Sequence, residues 1–256
     1  MSIIDSFDNK TEDILKPNKV IERIENFPEI VVVTFKDKIL NLVRNMKDSV
    51  QISELNVGYT IPIYKINYKG KNIAVYHTLL GGAGSAVCLE EAIAKGGKKF
   101  IFFGSCGTLD KNVAAGHFII PTEAYRDEGT SYHYAPAGDY IKVKTAKKLT
   151  DIFNKFDLPY IKTKTWTTDA IYRETKNNML KRKSDGCLAV DMECASIMSV
   201  GQFRNIEVYQ FLYAEDTLDG IEWDCRTMGK VPMSTYEIYL QTALEIATLV
   251  WFYIHI

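Results

Sequence analysis

Apolar residues along the chain come in short runs set off by glycine and charge, and the spacing inside the runs switches between strand-like alternation and helical periodicity. EIVVVTF (29–35) is a β-branched run that predicts a strand, and KDKILNLVRNM after it has helical spacing. IPIYKINYKGKNIAVYHTLL carries two alternating stretches around Lys69-Gly70, which predicts a hairpin leading into a buried strand. GGAGSAVCLEEAIAKGG reads as a glycine loop opening a helix. KKFIFFGSCGTL (98–109) reads as a buried strand with a second glycine-rich exit, and HFIIPTEAY (117–125) as another strand. KTAKKLTDIFNKF (144–156) has helical spacing, YIKTKTWTTDAIY (160–172) alternates, CLAVDMECASIMSVGQF (187–203) passes from strand to helix, and IEVYQFLYAED (206–216) is a last strand ending in acids. Alternation of this kind predicts an α/β fold, a three-layer α/β/α sandwich around a mixed, twisted central sheet. Residues 1–28 form a polar lead-in, and 29–256 read as a single domain without repeats or a linker.

The apolar tail IYLQTALEIATLVWFYIHI has the length of a membrane span, but Gln241, Glu245 and Thr248 recur on one helical face, so an amphipathic helix packed on the core is expected. With 46% hydrophobic residues, 25% charged residues and a net charge of −1, the chain has no basic cluster that would favour nucleic acid or a membrane surface. A small polar ligand fits better. The five cysteines form no C-x-x-C pair and are odd in number, so reduced, mostly buried thiols are expected. The first residues lack the basic and apolar regions of a signal peptide, which predicts a cytoplasmic protein. His77, His117, His133 and His255 lack metal-ligand spacing, and no metal is expected.

In such a sheet, ligands gather where the strands end. Those ends are GGAGS (81–85), GSCGT (104–108), TTDAIY (167–172), DMEC (191–194) and AED (214–216). The glycines serve equally as tight turns or as places where an anion or sugar approaches bare backbone N–H groups. GGAGSA is not on the first strand and has no dinucleotide fingerprint context. Asp191 is explained as a helix cap, worth about 0.3–1 kcal/mol through the helix dipole. Glu193, set among apolar neighbours, needs a partner, and a vicinal diol such as that of ribose supplies one, with Met192 packing on the sugar.

These segments resemble one family. VDMECASIM is similar to the V-E-M-E-A-A signature of the nucleoside phosphorylase family, which includes purine nucleoside phosphorylases, uridine phosphorylases and methylthioadenosine nucleosidases. FFGSCGTLD resembles the family's G-S-C-G strand exit, RDEGTSYHYAP (126–136) a stretch of uridine phosphorylases, and TTDAIY the base-pocket segment. AED falls where purine-cleaving members carry a catalytic aspartate. Order and spacing agree from about residue 30 to the end. The resemblance implies that Glu193 and Met192 hold ribose, that Ile171, Tyr172 and Arg173 border the base, and that Asp216 protonates a purine N7. Ser105, Gly104, Gly82 and Gly84 would face phosphate or the attacking water. It also implies no cofactor beyond inorganic phosphate as co-substrate, and a homodimer or a hexamer of dimers.

Two departures bear on phosphate. Phosphorolytic relatives carry an arginine where this chain has Phe102, and a G-D-P-x-R segment where it has TFKDKIL. Lys36, Arg44, Arg126 and Arg173 are the candidate replacement cations. Phosphorolysis is the first reading because Ser105 and the glycine exits are retained; hydrolysis is the alternative, and a non-catalytic nucleoside-binding relative the third. Asp216 favours a purine, whereas RDEGTSYHYAP points toward uridine.

Overall fold

The computed structural model describes residues 2–252. In chain order the strands are β1 Ile30–Thr34, β2 Val50–Asn56, β3 Thr60–Tyr68, β4 Lys71–His77, β5 Lys99–Thr108, β6 Phe118–Asp127, β7 Tyr140–Lys142, β8 Tyr160–Thr168, β9 Cys187–Asp191 and β10 Glu207–Thr217. The helices are α1 Pro17–Val20, α2 Asp37–Arg44, α3 Gly82–Lys95, α4 Ser131–Tyr134, α5 Ala146–Lys155, α6 Lys176–Ser184, α7 Cys194–Phe203 and α8 Met233–Phe252. The expected mixed α/β architecture is present. All five residues of β1 are buried, which fits its place between two parallel neighbours, β4 and β5. The β3–β4 hairpin turns at Lys69 and Gly70, both at positive φ (49° and 76°), as a two-residue turn between right-twisted strands requires.

The sheet does more than lie flat between helices. β5 pairs with β1 along its first half and antiparallel with β9 at its end, while β10 pairs with both β5 and β6. With β6 on β8 and β8 on β9, five strands close into a ring around Cys106, Ile119, Ala189, Leu212 and Ala214. Helix α3 packs on α7, and α8 packs against both α2 and α5. The closure brings the ends of β5, β9 and β10 to one place.

Polar patterning hid some elements. β2 is an edge strand with most residues exposed or half-buried, and α6 buries only Met179 and Arg182, so neither stands out as an apolar run. α8 is helical as expected and Gln241 is exposed, but Thr248 is buried, its hydroxyl donating within the helix to the Glu245 carbonyl at 2.8 Å. The polar stripe is therefore narrower than the spacing suggested. Residues 253–256 of this tail, including His255, lie outside the described residues. No described helix is long and apolar enough to cross a membrane. All five cysteines are free, and four are buried. The lead-in lies against the body: Phe7 meets Phe203 edge to face, and Arg204 bridges Asp13 and Glu90.

Candidate active site

β9 ends at Asp191, whose buried carboxylate accepts four hydrogen bonds: Thr165 and Thr167 hydroxyls at 2.9 Å each, and the N–H groups of Glu193 at 3.0 Å and Cys194 at 2.6 Å. It closes the start of α7 from two residues before the N-cap, which is Glu193 rather than, as the spacing suggested, Asp191. Glu193 is thereby fixed just before the helix, also buried, with Oε1 accepting the Gly81 N–H at 2.7 Å. Gly81 stands at φ 84°, a conformation that glycine adopts without strain, and this turns its N–H toward the carboxyl. Burial, then the charge of Asp191, push the Glu193 carboxyl up to about 8. Met192 beside it is partly exposed.

β10 reaches its end through a slip in register against β5 between Ala214 and Asp216, a bulge at Glu215 that re-aims the side chains around it. Asp216 then stands opposite Gly107, and Val190 stands opposite Gly107 from the β9 side. A Cβ on Gly107 would lie 2.8 Å from Val190 Cγ1 and 3.3 Å from Asp216 Oδ1, so a side chain there would crowd the junction of the three strands. Asp216 is buried, its carboxyl raised by burial, and Oδ2 accepts the Trp223 indole N–H at 2.7 Å. Glu174, just after the 3-10 turn Ile171–Arg173, is pushed up to about 7 by burial and by the charge of Asp216. A second acid therefore stands near Asp216.

The remaining expected residues fall into different settings. Ser105 is partly buried at the β5 exit, opposite Tyr213 in the ladder. Gly104 is covered by Phe35: an added Cβ would meet the ring at 2.7 Å, and the Phe35 and Phe102 ring centroids are 6.1 Å apart. Gly82 serves helix packing, since a Cβ would lie 2.3 Å from the Ser196 hydroxyl of α7. Gly84 makes a similar close approach to Leu79, at 2.8 Å. Ile171 and Arg173 are exposed, and Tyr172 is 96% exposed.

The candidate phosphate cations are largely committed. Lys36 donates at 3.2 Å to the buried Glu215 carboxylate. Arg126 is buried and bonded to Ser131 Oγ and to the carbonyls of Ala135, Pro136 and Gly138, stacked 3.8 Å from the centroid of the Tyr132 ring. Arg44 lines a separate cavity of about 290 Å³ with Tyr59, Tyr64 and His77. Within RDEGTSYHYAP, Glu128 accepts from the Ser131 N–H at 3.0 Å and from the hydroxyls of Ser131 and Ser196, tying β6 to α7, while His133 is exposed. Phe35, Glu174 and Trp223 escaped the sequence reading. Glu174 alone had a local signal, as an acid directly following the base segment.

The fold is that of an α/β protein with buried acids at the ends of sheet strands. A family model of the phosphorylase superfamily matches residues 29–250, and the chain belongs to that superfamily. It is 26% identical over 187 residues to a DeoD-type purine nucleoside phosphorylase of Bacillus cytotoxicus, covering 70% of this chain and 77% of that protein. It is also 26% identical over 155 residues to an uncharacterised protein, R802, of Acanthamoeba polyphaga mimivirus, covering 59% of this chain and 60% of that one. Among solved structures, the Toxoplasma gondii purine nucleoside phosphorylase bound to immucillin-H superposes with a TM-score of 0.73 at 18% identity, covering 88% of this chain and 92% of that one. The AMP nucleosidase of Bacteroides thetaiotaomicron superposes at 0.69 with 19% identity, covering 88% and 90%. Both share the fold.

Proposed function

We propose that this protein cleaves the N-glycosidic bond of a purine ribonucleoside with water as the acceptor. The observation that carries the choice of water is the Phe35 ring lying on Gly104 beside Phe102, at the strand exit the resemblance assigns to phosphate. A dianion needs charge-assisted donors, and an apolar ring offers none. Lys36 and Arg126 are already bonded elsewhere, so phosphorolysis, first on sequence grounds, falls to second. It stays second because Ser105 is partly accessible and Arg173 is exposed, where a neighbouring copy could be served by it.

In this reading Glu193 accepts hydrogen bonds from the ribose hydroxyls and Met192 packs on the sugar. As the glycosidic bond stretches, the sugar becomes oxocarbenium-like and its bonding electrons pass to the base. Asp216 in its protonated form, which burial favours, donates to N7 so that the base leaves neutral, an effect worth roughly 100- to 10,000-fold in rate. The purine lean is supported by the internal bonding of RDEGTSYHYAP, which gives that stretch a structural task without a pyrimidine. Base release from inosine, guanosine, adenosine and uridine in phosphate-free buffer tests the proposal. Purine release is expected, and uridine as the sole substrate would contradict it.

A further inference from the structure

We infer that Trp223 is a positioning residue for Asp216: by donating its indole N–H to Oδ2 it leaves the acidic proton to Oδ1 and directs it at the departing base. The inference rests on the reading above, in which Asp216 protonates the base. An indole N–H can only donate, and a protonated carboxyl has one O–H and one carbonyl oxygen. The carbonyl oxygen is the better acceptor of the two, so an indole N–H on Oδ2 favours the form with the proton on Oδ1. Oδ1 is the oxygen beside Gly107, where the absence of a side chain keeps the junction of β5, β9 and β10 uncrowded.

Trp223 is held for this task rather than for core packing. The segment after β10 is folded back by two bonds, the Thr217 N–H to the Asp224 carbonyl at 3.0 Å and the Asp224 N–H to the Thr217 carbonyl at 3.2 Å. Arg226 then fastens it to the carbonyls of Val113 and Lys111. Yet the Trp223 side chain is 59% exposed, so its ring contributes little burial while its one polar atom reaches a buried carboxyl. The charged and titratable groups around Asp216 are Asp224 and Arg226 on this same segment, Glu174 after β8, and Cys106 on β5.

The proton balance is complete. The Oδ1 proton passes to N7, the electrons of the C1′–N9 bond pass to the base, and Asp216 is left as a carboxylate. The indole bond to it then becomes charge-assisted and stronger, so it favours the transition state over the ground state. Water bonds to C1′ through its oxygen to give free ribose, and the proton it loses restores Asp216.

Trp223→Phe keeps the ring and removes the N–H. Compared with wild type in purine ribonucleoside cleavage, it is expected to lower kcat about 10- to 100-fold with KM little changed. Removing a bond that favours the ionised carboxyl raises the pKa of Asp216, so the high-pH limb of kcat moves to higher pH. Trp223→His, which retains a ring N–H, is expected to recover part of the rate and return the limb. A merely structural tryptophan would change stability or KM and leave the limb in place. Wild-type kcat and an unmoved limb in Trp223→Phe, with Asp216→Asn inactive, would overturn the inference while leaving the base-protonation reading intact. A fully active Asp216→Asn would overturn both.

Discussion

Glu193 is a buried carboxyl at a strand exit, its Oε1 accepting the Gly81 N–H and the Met192 N–H also bonded to the carboxyl. With its carboxyl near 8 and the unfolded value near 4.5, the folded protein binds a proton between those pH values that the unfolded chain releases. Stability therefore falls as pH rises from about 4.5 to about 8, by up to roughly 1.4 kcal/mol per pH unit. Chemical denaturation of wild type and Glu193→Gln across that window should show the slope reduced in the variant. The same titration governs ligand binding. The ionised form is the one that accepts both ribose hydroxyls, so ribonucleoside affinity should rise with pH up to about 8, with a proton released on binding. Glu193→Gln should weaken that affinity by about 1.5–3 kcal/mol without unfolding the chain. Unchanged affinity in calorimetric titration would leave Glu193 with only its place at the start of α7.

The junction of α3 with α7 shows how elements, rather than single side chains, hold Glu193 in reach of Gly81. Gly82 lets the start of α3 come against Ser196, whose hydroxyl is committed to Glu128. Gly82→Ala should force the helices apart or break that bond, costing about 1–3 kcal/mol in denaturant unfolding and loosening the site. Elements such as β1, the β3–β4 hairpin, and the β9–α7 passage were legible because apolar runs met glycine or charge at their ends. β2 and α6 were not, since an edge strand and a polar helix bury too little to leave a pattern. Glu193 could be picked out as an acid at a strand exit in an apolar setting, and Asp216 as an acid at a strand end that the family resemblance singles out. Phe35 on Gly104, the bulge at Glu215 and the Trp223 bond depend on which strands become neighbours, and local periodicity carries no register between distant strands.

Across the whole molecule, four large apolar side chains on the segments following β4, β8 and β10 are exposed: Leu80, Ile171, Tyr172 and Ile221. A collar of this kind on segments that flank the site fits burial against another copy, so light scattering should find an oligomer. Dissociation without loss of activity would show that each chain carries a complete site. The central claim is that the ring closing over Gly104 makes water the acceptor. Its most direct test is to identify the sugar product of purine ribonucleoside cleavage, with and without saturating phosphate. Free ribose, formed at a rate that phosphate leaves unchanged, is the predicted result; ribose 1-phosphate formed in proportion to phosphate would contradict it.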